Sequence, residues 1–408
     1  MAATLPDLCF EEIFSHFKYD YSTLYKCLLI NRVWCRNAVP HLWRCPFRQS
    51  LPTLNAHHLI RTYTSCLDDA ELSLLSSYGL IIPEKGAAFE YGRYLEDLSF
   101  CYLNDAIHSW MVFKVDFWNY ETISRPVSTA ICHMFMRQKA KVKNVRLSCH
   151  EMNLGKFPET KAFSDNGRSL HRVQNLELCI DRYCLFKKSE FPLGFLFQLV
   201  TSCFNISHMR INMNYNCHKL LPDVIAGIIR VQRNLEEFIL SETTSVVTAS
   251  MVNALESQTH SLTLLRFTNV IFGRISLHWL NRCKKLRTLA FVKCDGQMMD
   301  LNLSYLTFPI KNLEILCDRI NITPMRIAEI IRNIGENLEV LKLNIVDRAI
   351  MNIISASCPN LEILDVEVPE EMYAIAKLWI GNLALKTSNL HCEDTYSDDD
   401  EMDTKYIV

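Results

Sequence analysis

Two spacings of apolar residues divide the chain. At its start Phe10, Ile13, Phe14 and Phe17 fall at i, i+3, i+4 and i+7, which is one face of a short helix. From the middle onward a six-residue pattern recurs instead, as LEEFIL, LTLLRF, LRTLAF, LEILCD, LEVLKL and LEILDV. Its first leucines, Leu235, Leu262, Leu286, Leu313, Leu338 and Leu361, are spaced by 27, 24, 27, 25 and 23 residues. Looser copies begin at Leu95, Val142, Val173 and Ile206, so nine or ten turns are expected. Each copy has the alternation of a strand. The segments between them read as helices: Thr323 and Pro324 make an N-cap and first-turn pair ahead of MRIAEIIRNI, and 348–358 and 370–380 share its periodicity. A strand and a helix in every 25 residues or so, in tandem, predicts an α/β fold: parallel strands on the inner wall of a curved solenoid, helices outside.

The first forty or so residues predict three short helices. Thr4 and Asp7 have capping-box spacing, Pro6 suits a first turn, and the helix they open ends near Lys18. Asp20 or Ser22 caps a second helix with Leu24, Cys27 and Leu28 on one face, and Asn31 caps a third that carries Val33 and Trp34. Pro40 is expected to stop it before His41-Leu42-Trp43. Burying one large apolar side chain is worth roughly 1.5 to 3 kcal/mol, so the first helix's face must be covered by its neighbours, by the rest of the chain or by another protein. A unit this short usually needs outside help to hold a core.

The string LPDLCFEEIFSHFKYDYSTLYKCLLINRVWCRNAVPHLW resembles an F-box, through its opening Leu-Pro, the Ile-Phe pair, Ser-x-Leu-x-x-Cys, Val-Trp and closing Leu-Trp. It departs from the usual pattern in that the acid expected two residues after Leu-Pro is displaced to Glu11 and Glu12. The resemblance implies a trihelical unit that docks on the Skp adaptor and through it on a cullin–RING ubiquitin ligase. The implied adaptor contacts are Leu5, Pro6, Leu8, Ile13, Phe14, Phe17, Leu24, Val33 and Trp34, with Phe14, Phe17 and Trp34 either between the proteins or in the unit's own core. A helical cap that closes the next domain's core is the plainer alternative. The repeats, with SCPNLEIL among them, are similar to the irregular, cysteine-containing leucine-rich repeats of F-box proteins. The expected organisation is an F-box at 1–47, a helical linker and solenoid cap at 48–92, repeats at 93–390 and an acidic tail at 391–408. Within the linker HHLIRTYTSCL and DDAELSLLSSYGL read as helices and PEKGAAFEYG as a loop, while 104–139 interrupts the repeats with a longer helix around 127–138.

Composition narrows the function. Apolar residues make up 49% of the chain, which excludes wholesale disorder. The last sixteen residues hold seven acids and one lysine, too much like charge to fold. The remainder has 42 basic against 38 acidic side chains and no Lys/Arg block, so nucleic acid is not an expected partner. Seventeen cysteines without a secretory leader point to free thiols in a reducing compartment, cytoplasm or nucleus. Asn-x-Ser/Thr triplets at Asn205, Asn302 and Asn321 then have no bearing. The greasiest window, FPLGFLFQLVTSCF, is too short to span a bilayer, so no membrane is expected either.

No catalytic constellation has supporting context. Phosphate-cradling glycine loops, H-E-x-x-H and G-x-S-x-G are absent. Cys35, His41 and Cys45 have no fourth ligand nearby, so no metal or cofactor is expected. The neighbours Cys132-His133, Cys149-His150 and Cys217-His218 point apart on a strand or helix and make poor dyads. Ser397, ahead of Asp398 to Glu401, is an acid-directed phosphosite or part of a plain solubilising tail.

Strand parity names a surface. In L-x-x-L-x-L the fourth and sixth positions point inward, so the third and fifth face the open wall. The third positions read Leu264, Thr288, Ile315, Val340 and Ile363, with Arg266, Lys342 and Asp365 at fifth positions. That is an apolar stripe with a charged border, the kind of patch that takes a partner. The resulting expectation is a non-enzymatic substrate-recognition subunit of an SCF-type ubiquitin ligase, with an unknown protein target on the stripe. The alternative is an F-box scaffold that acts outside ubiquitylation.

Overall fold

The computed structural model describes residues 6–18, 20–48, 53–80, 82, 86–112, 120–148, 157–164, 169–180, 193–213, 220–273, 275–295, 309–317 and 322–392. It opens with helices α1 (Asp7–Ser15), α2 (Tyr21–Leu28) and α3 (Arg32–Leu42). Asp20 accepts from the Thr23 N–H at 3.0 Å and Asn31 from the Trp34 N–H at 2.9 Å, each tying down a free donor at a helix start. α1 has no side-chain cap, and Thr4 lies outside the described residues. Pro40 does not end α3, which runs on to Leu42 and closes with Trp43 N–H on the Val39 carbonyl. Phe10, Phe14, Leu24, Cys27 and Ala38 form a core belonging to these three helices, with Phe17, Leu28, Val33, Trp34 and Leu42 packed around it.

Helices α4 (Thr53–Thr64) and α5 (Asp69–Ser76) follow, as their periodicity predicts. The stretch expected to hold one long helix holds two, α6 (Phe100–Met111) and α7 (Tyr120–Arg137). Asp68 and Glu71 make a capping box at the start of α5. The same Glu71, buried, also meets His133 Nδ1 at 2.5 Å and Arg137 at 3.0 Å, which fastens α5 to α7. Edge-on rings of Trp43, Tyr63, Phe47 and Phe135 join the end of α3 to α4 and α7.

The chain forms two compact units, Met1–Leu262 and Thr263–Val408. In the first, strands β1 (Asp97–Ser99), β2 (Asn144–Ser148), β3 (Asn175–Ile180), β4 (His208–Met213) and β5 (Glu237–Thr243) pair in chain order, all parallel. Between them run α8 (Lys161–Ser164), α9 (Leu193–Ser202) and α10 (Leu221–Val231), and α11 (Ser245–Ala254) follows β5. The five looser and regular copies read from the sequence share one phase here: Asp97, Asn144, Asn175, His208 and Glu237, all third positions, stand side by side. The carbonyl of each second position accepts two N–H groups from the next turn. Glu96 takes Lys143 and Asn144 at 2.8 and 3.0 Å, and Lys143 takes Gln174 and Asn175 at 2.8 and 3.0 Å. The series begins one step early: the carbonyl of Arg44, just after α3, takes the N–H groups of Glu96 and Asp97. The end of the N-terminal helices therefore occupies the place of a turn preceding β1, a role expected of the linker that follows them.

The second unit holds β6 (Leu264–Val270), β7 (Thr288–Val292), β8 (Asn312–Leu316), β9 (Val340–Leu343), β10 (Ile363–Val368) and β11 (Thr387–Cys392), again parallel and in chain order. Its helices α12 (Pro324–Ile334), α13 (Arg348–Ser357) and α14 (Glu370–Gly381) fall where the sequence places them. Asn269 and Lys293, the eighth residues of successive turns, have φ of 52° and 50°, as does Glu242 in the first unit at 58°. This left-handed step turns the chain off the strand.

One expected phase is wrong. Asn312, not Ile315, pairs with Thr288 and Val340, and the Asn312 N–H joins Lys311's on the Arg287 carbonyl. The turn starts at Ile310 rather than Leu313, an offset of three residues that exchanges the faces. Ile315 is 0% exposed and belongs to the core, so it is withdrawn from the target-facing stripe. Ile315→Ser is accordingly expected to cost about 3 kcal/mol, through lost transfer energy, a cavity and a buried hydroxyl. Ile363→Ser, from the same LEIL tetrapeptide but half-buried on the open face, is expected to cost about 1 kcal/mol. Urea unfolding of both variants checks the register, and equal losses would overturn it.

Candidate functional site

Three surfaces emerge once the strands are in register. The first lies on the N-terminal helices. Leu8 and Leu29 are 79% and 73% exposed, and Tyr25 and Ile30 are exposed as well. Phe10 and Phe14 both meet the Trp34 ring edge-on, at 5.6 and 5.5 Å, which sets α1 against the first turn of α3. Leu29 and Ile30 lead directly into that turn. Of the expected contacts, Pro6 and Leu8 are exposed, Ile13, Phe17, Val33 and Trp34 are half-buried, and Leu5 lies outside the described residues. Phe14 and Leu24, expected among the contacts, are wholly buried in the three-helix core. Tyr25, Leu29 and Ile30 were missed; the run Leu28-Leu29-Ile30 signals them, since a helix stepping about 100° per residue cannot turn three consecutive residues to one core.

Beside this face, α2, α4 and the segment after α3 enclose a groove of about 610 Å³. Tyr21, Tyr25, Trp43, Arg48 and His58 line part of it, and among the described residues no acid does. The Arg48 guanidinium lies over the Tyr21 ring, 3.4 Å from its centre.

The second surface is the open wall of β6 to β11. Leu264, Thr288, Val340 and Ile363 occupy third positions, half-buried, but Asn312 stands between Thr288 and Val340 and breaks the apolar run. The exchange of faces on β8 brings Leu316 outward beside Val292. The charged border is largely engaged within the wall: Arg266 reaches across Ala290 to Glu314, and Asp365 meets His391 at 3.2 Å, while Lys342 stands in register between Glu314 and Asp365.

The third surface, absent from the sequence reading, is a hollow of about 390 Å³ on the open face of β1 to β5. It is polar. Asn175 donates to Asn144 at 2.5 Å, Arg146 to Glu177 at 2.8 Å, and His208 Nε2 lies 3.7 Å from Glu237. Asp97 closes one end. Burial holds its carboxyl above the ordinary value of 3.8, with Arg146 and a hydrogen bond from Asn144 opposing the rise and Glu177 adding to it.

The Cys-His neighbours lend themselves to no dyad where they are described: burial pushes the Cys132 thiol up, and His133 turns to Glu71. Cys149, His150, Cys217, His218 and Ser397 lie outside the described residues. Among the described residues no group of three His, Cys, Asp or Glu could hold a metal ion, and no helix is long and apolar enough to cross a membrane.

Compared with family models and with curated proteins, the sequence matches none.

A carboxyl whose folded pKa is raised keeps its proton where the unfolded chain has lost it. Its contribution to stability is fully present below pH 3.8 and is lost as pH rises through the folded value. Asp97→Asn is therefore expected to be more stable than the parent at pH 7, with the gain shrinking as the pH is lowered toward 3.8. Urea unfolding across that range measures it, and a parent as stable as the variant at neutral pH would contradict the cause given.

Proposed function

We propose that the chain is a substrate-recognition subunit of an SCF-type ubiquitin ligase, in which α1 to α3 are an F-box that grips the Skp adaptor and the strand walls hold the target protein. The observation that supports this reading best is the N-terminal face: a three-helix unit with its own core still exposes Leu8, Tyr25, Leu29 and Ile30. Four large apolar side chains exposed on so small a unit mark a partner's seat rather than a solvated surface. The contacts assigned to the adaptor are Pro6, Leu8, Tyr25, Leu29 and Ile30, with Trp34 behind them. In the second unit Leu264, Val340 and Ile363, joined by Val292 and Leu316, form the apolar part of the target wall.

On this reading the chain performs no chemistry itself. It supplies proximity: a target held on one face and an adaptor on the other bring the acceptor lysine within reach of the conjugating enzyme, which replaces a bimolecular encounter by a bound one.

Co-expression of the full chain with the adaptor, followed by size-exclusion chromatography, tests it. The two are expected to co-elute and to retain a cullin in a pull-down. Leu8→Glu with Leu29→Glu is expected to abolish co-elution with the melting temperature unchanged, because both side chains are exposed. A parent chain that never co-elutes overturns the proposal, and adaptor binding without cullin points to a scaffold instead.

A further inference from the structure

The hollow on β1 to β5 is lined by three acids, Asp97, Glu177 and Glu237, two arginines, Arg146 and Arg210, and His208. Their pairing is uneven. Arg146 is bonded to Glu177, and His208 lies near Glu237. Arg210 stands in register between Glu177 and Ile239, is exposed, and makes no ion pair or side-chain hydrogen bond among the described residues. A guanidinium on an open strand face, with the acid opposite it in register engaged by another arginine and the diagonal one, Glu237, lying near His208, is a vacant half of a charge pair.

The surroundings decide which anion completes it. With three carboxylates in the same hollow, a dianionic phosphate would meet strong like-charge repulsion, whereas a single carboxylate adds only one charge to a nearly balanced set. Ile239, one strand beyond Arg210, is half-buried and offers an apolar seat. Neighbouring strands lie about 4.8 Å apart and an extended chain advances about 3.3 Å per residue, so residues one or two apart on a crossing peptide reach both. On the other side Asn144 and Asn175 present side-chain amides, each with donor or acceptor capacity left over for a peptide backbone.

We propose that this hollow binds an extended peptide segment laid across the strands, with an Asp or Glu carboxylate on Arg210 and an apolar side chain one or two residues away on Ile239. The inference rests on the reading that the strand walls hold the target, and it names the chemistry of the segment recognised. It moves the polar part of recognition from the second unit to the first.

The test uses the purified full chain and four immobilised degenerate decapeptide pools, in which the fifth residue is fixed as Glu, phosphoserine, Lys or Ala and is followed two residues later by Leu. The Glu pool is expected to retain the chain at least tenfold better than the Ala or Lys pool. Arg210→Gln should remove that preference with unchanged melting temperature, and Ile239→Ser should weaken retention by a similar factor while circular dichroism shows the chain still folded. Equal retention by the Glu and Ala pools, or a preference that survives Arg210→Gln, overturns the proposal. Stronger retention by the phosphoserine pool than by the Glu pool overturns its choice of anion. Adaptor co-elution is scored on the same preparation: a chain that binds adaptor but ignores the pools fails this inference alone, and one that discriminates the pools without binding adaptor fails only the ligase reading.

Discussion

A carbonyl oxygen has two lone pairs, and along each wall of this protein the second residue of a turn uses both on consecutive N–H groups of the next turn. Thr263 holds Arg287 and Thr288 in this way, Arg287 holds Lys311 and Asn312, and Lys311 holds Glu339 and Val340. The clasp fixes where each strand begins relative to its neighbour, and the two-residue period of a strand then decides every side chain that follows. Core and open wall, the charge pairs along the wall and the half-open hollow all depend on that register. An unpaired buried backbone group costs as much as a lost hydrogen bond, so a strand slipped by one residue would lose the clasp as well as exposing its core face.

The tetrapeptide LEIL occurs twice and shows what the linear pattern can and cannot carry. At 361–364 its first and last leucines face the core and Ile363 faces out, while at 313–316 the first leucine is again buried but the last two residues exchange faces, with Ile315 buried and Leu316 outward. Apolar spacing inside the tetrapeptide cannot separate the two, because both phases bury two large side chains. What distinguishes them is Ile310, which supplies the turn's first inward residue three positions earlier, and Asn312, which fits the open row beside Thr288. The helices were easier to read. α12 and α13 declare themselves by Thr323-Pro324 and by Asp347, which caps α13 from its own side chain, and each has a strongly one-sided apolar face.

At the N-terminal helices the apolar pattern was legible, but which of its residues are buried and which are exposed was not. Amphipathicity marks which residues leave water, not what covers them: Phe14 and Leu24 are buried in the three-helix core, while Leu29 and Ile30, outside the helical stripe, stay exposed. The hollow of the first unit was not legible at all. Its residues come from five segments between Asp97 and Ile239, and the property that matters, which charges already have partners, exists only after parallel strands bring Arg146 to Glu177 and set Arg210 beside them.

The N-terminal helices do not hang from the first wall on a flexible tether. Arg44's carbonyl takes Glu96 and Asp97 as though it belonged to a preceding turn, and the rings around Tyr63 lock the same segment to the helices behind β1. Within this unit the three N-terminal helices are therefore joined to the first strands by backbone and ring contacts as well as by the chain. On the function proposed above, a target held on the strands is presented from the same unit that holds the adaptor, so reach becomes a filter separate from affinity. On that reading a target that binds well is passed over when its modifiable residue falls outside the arc presented.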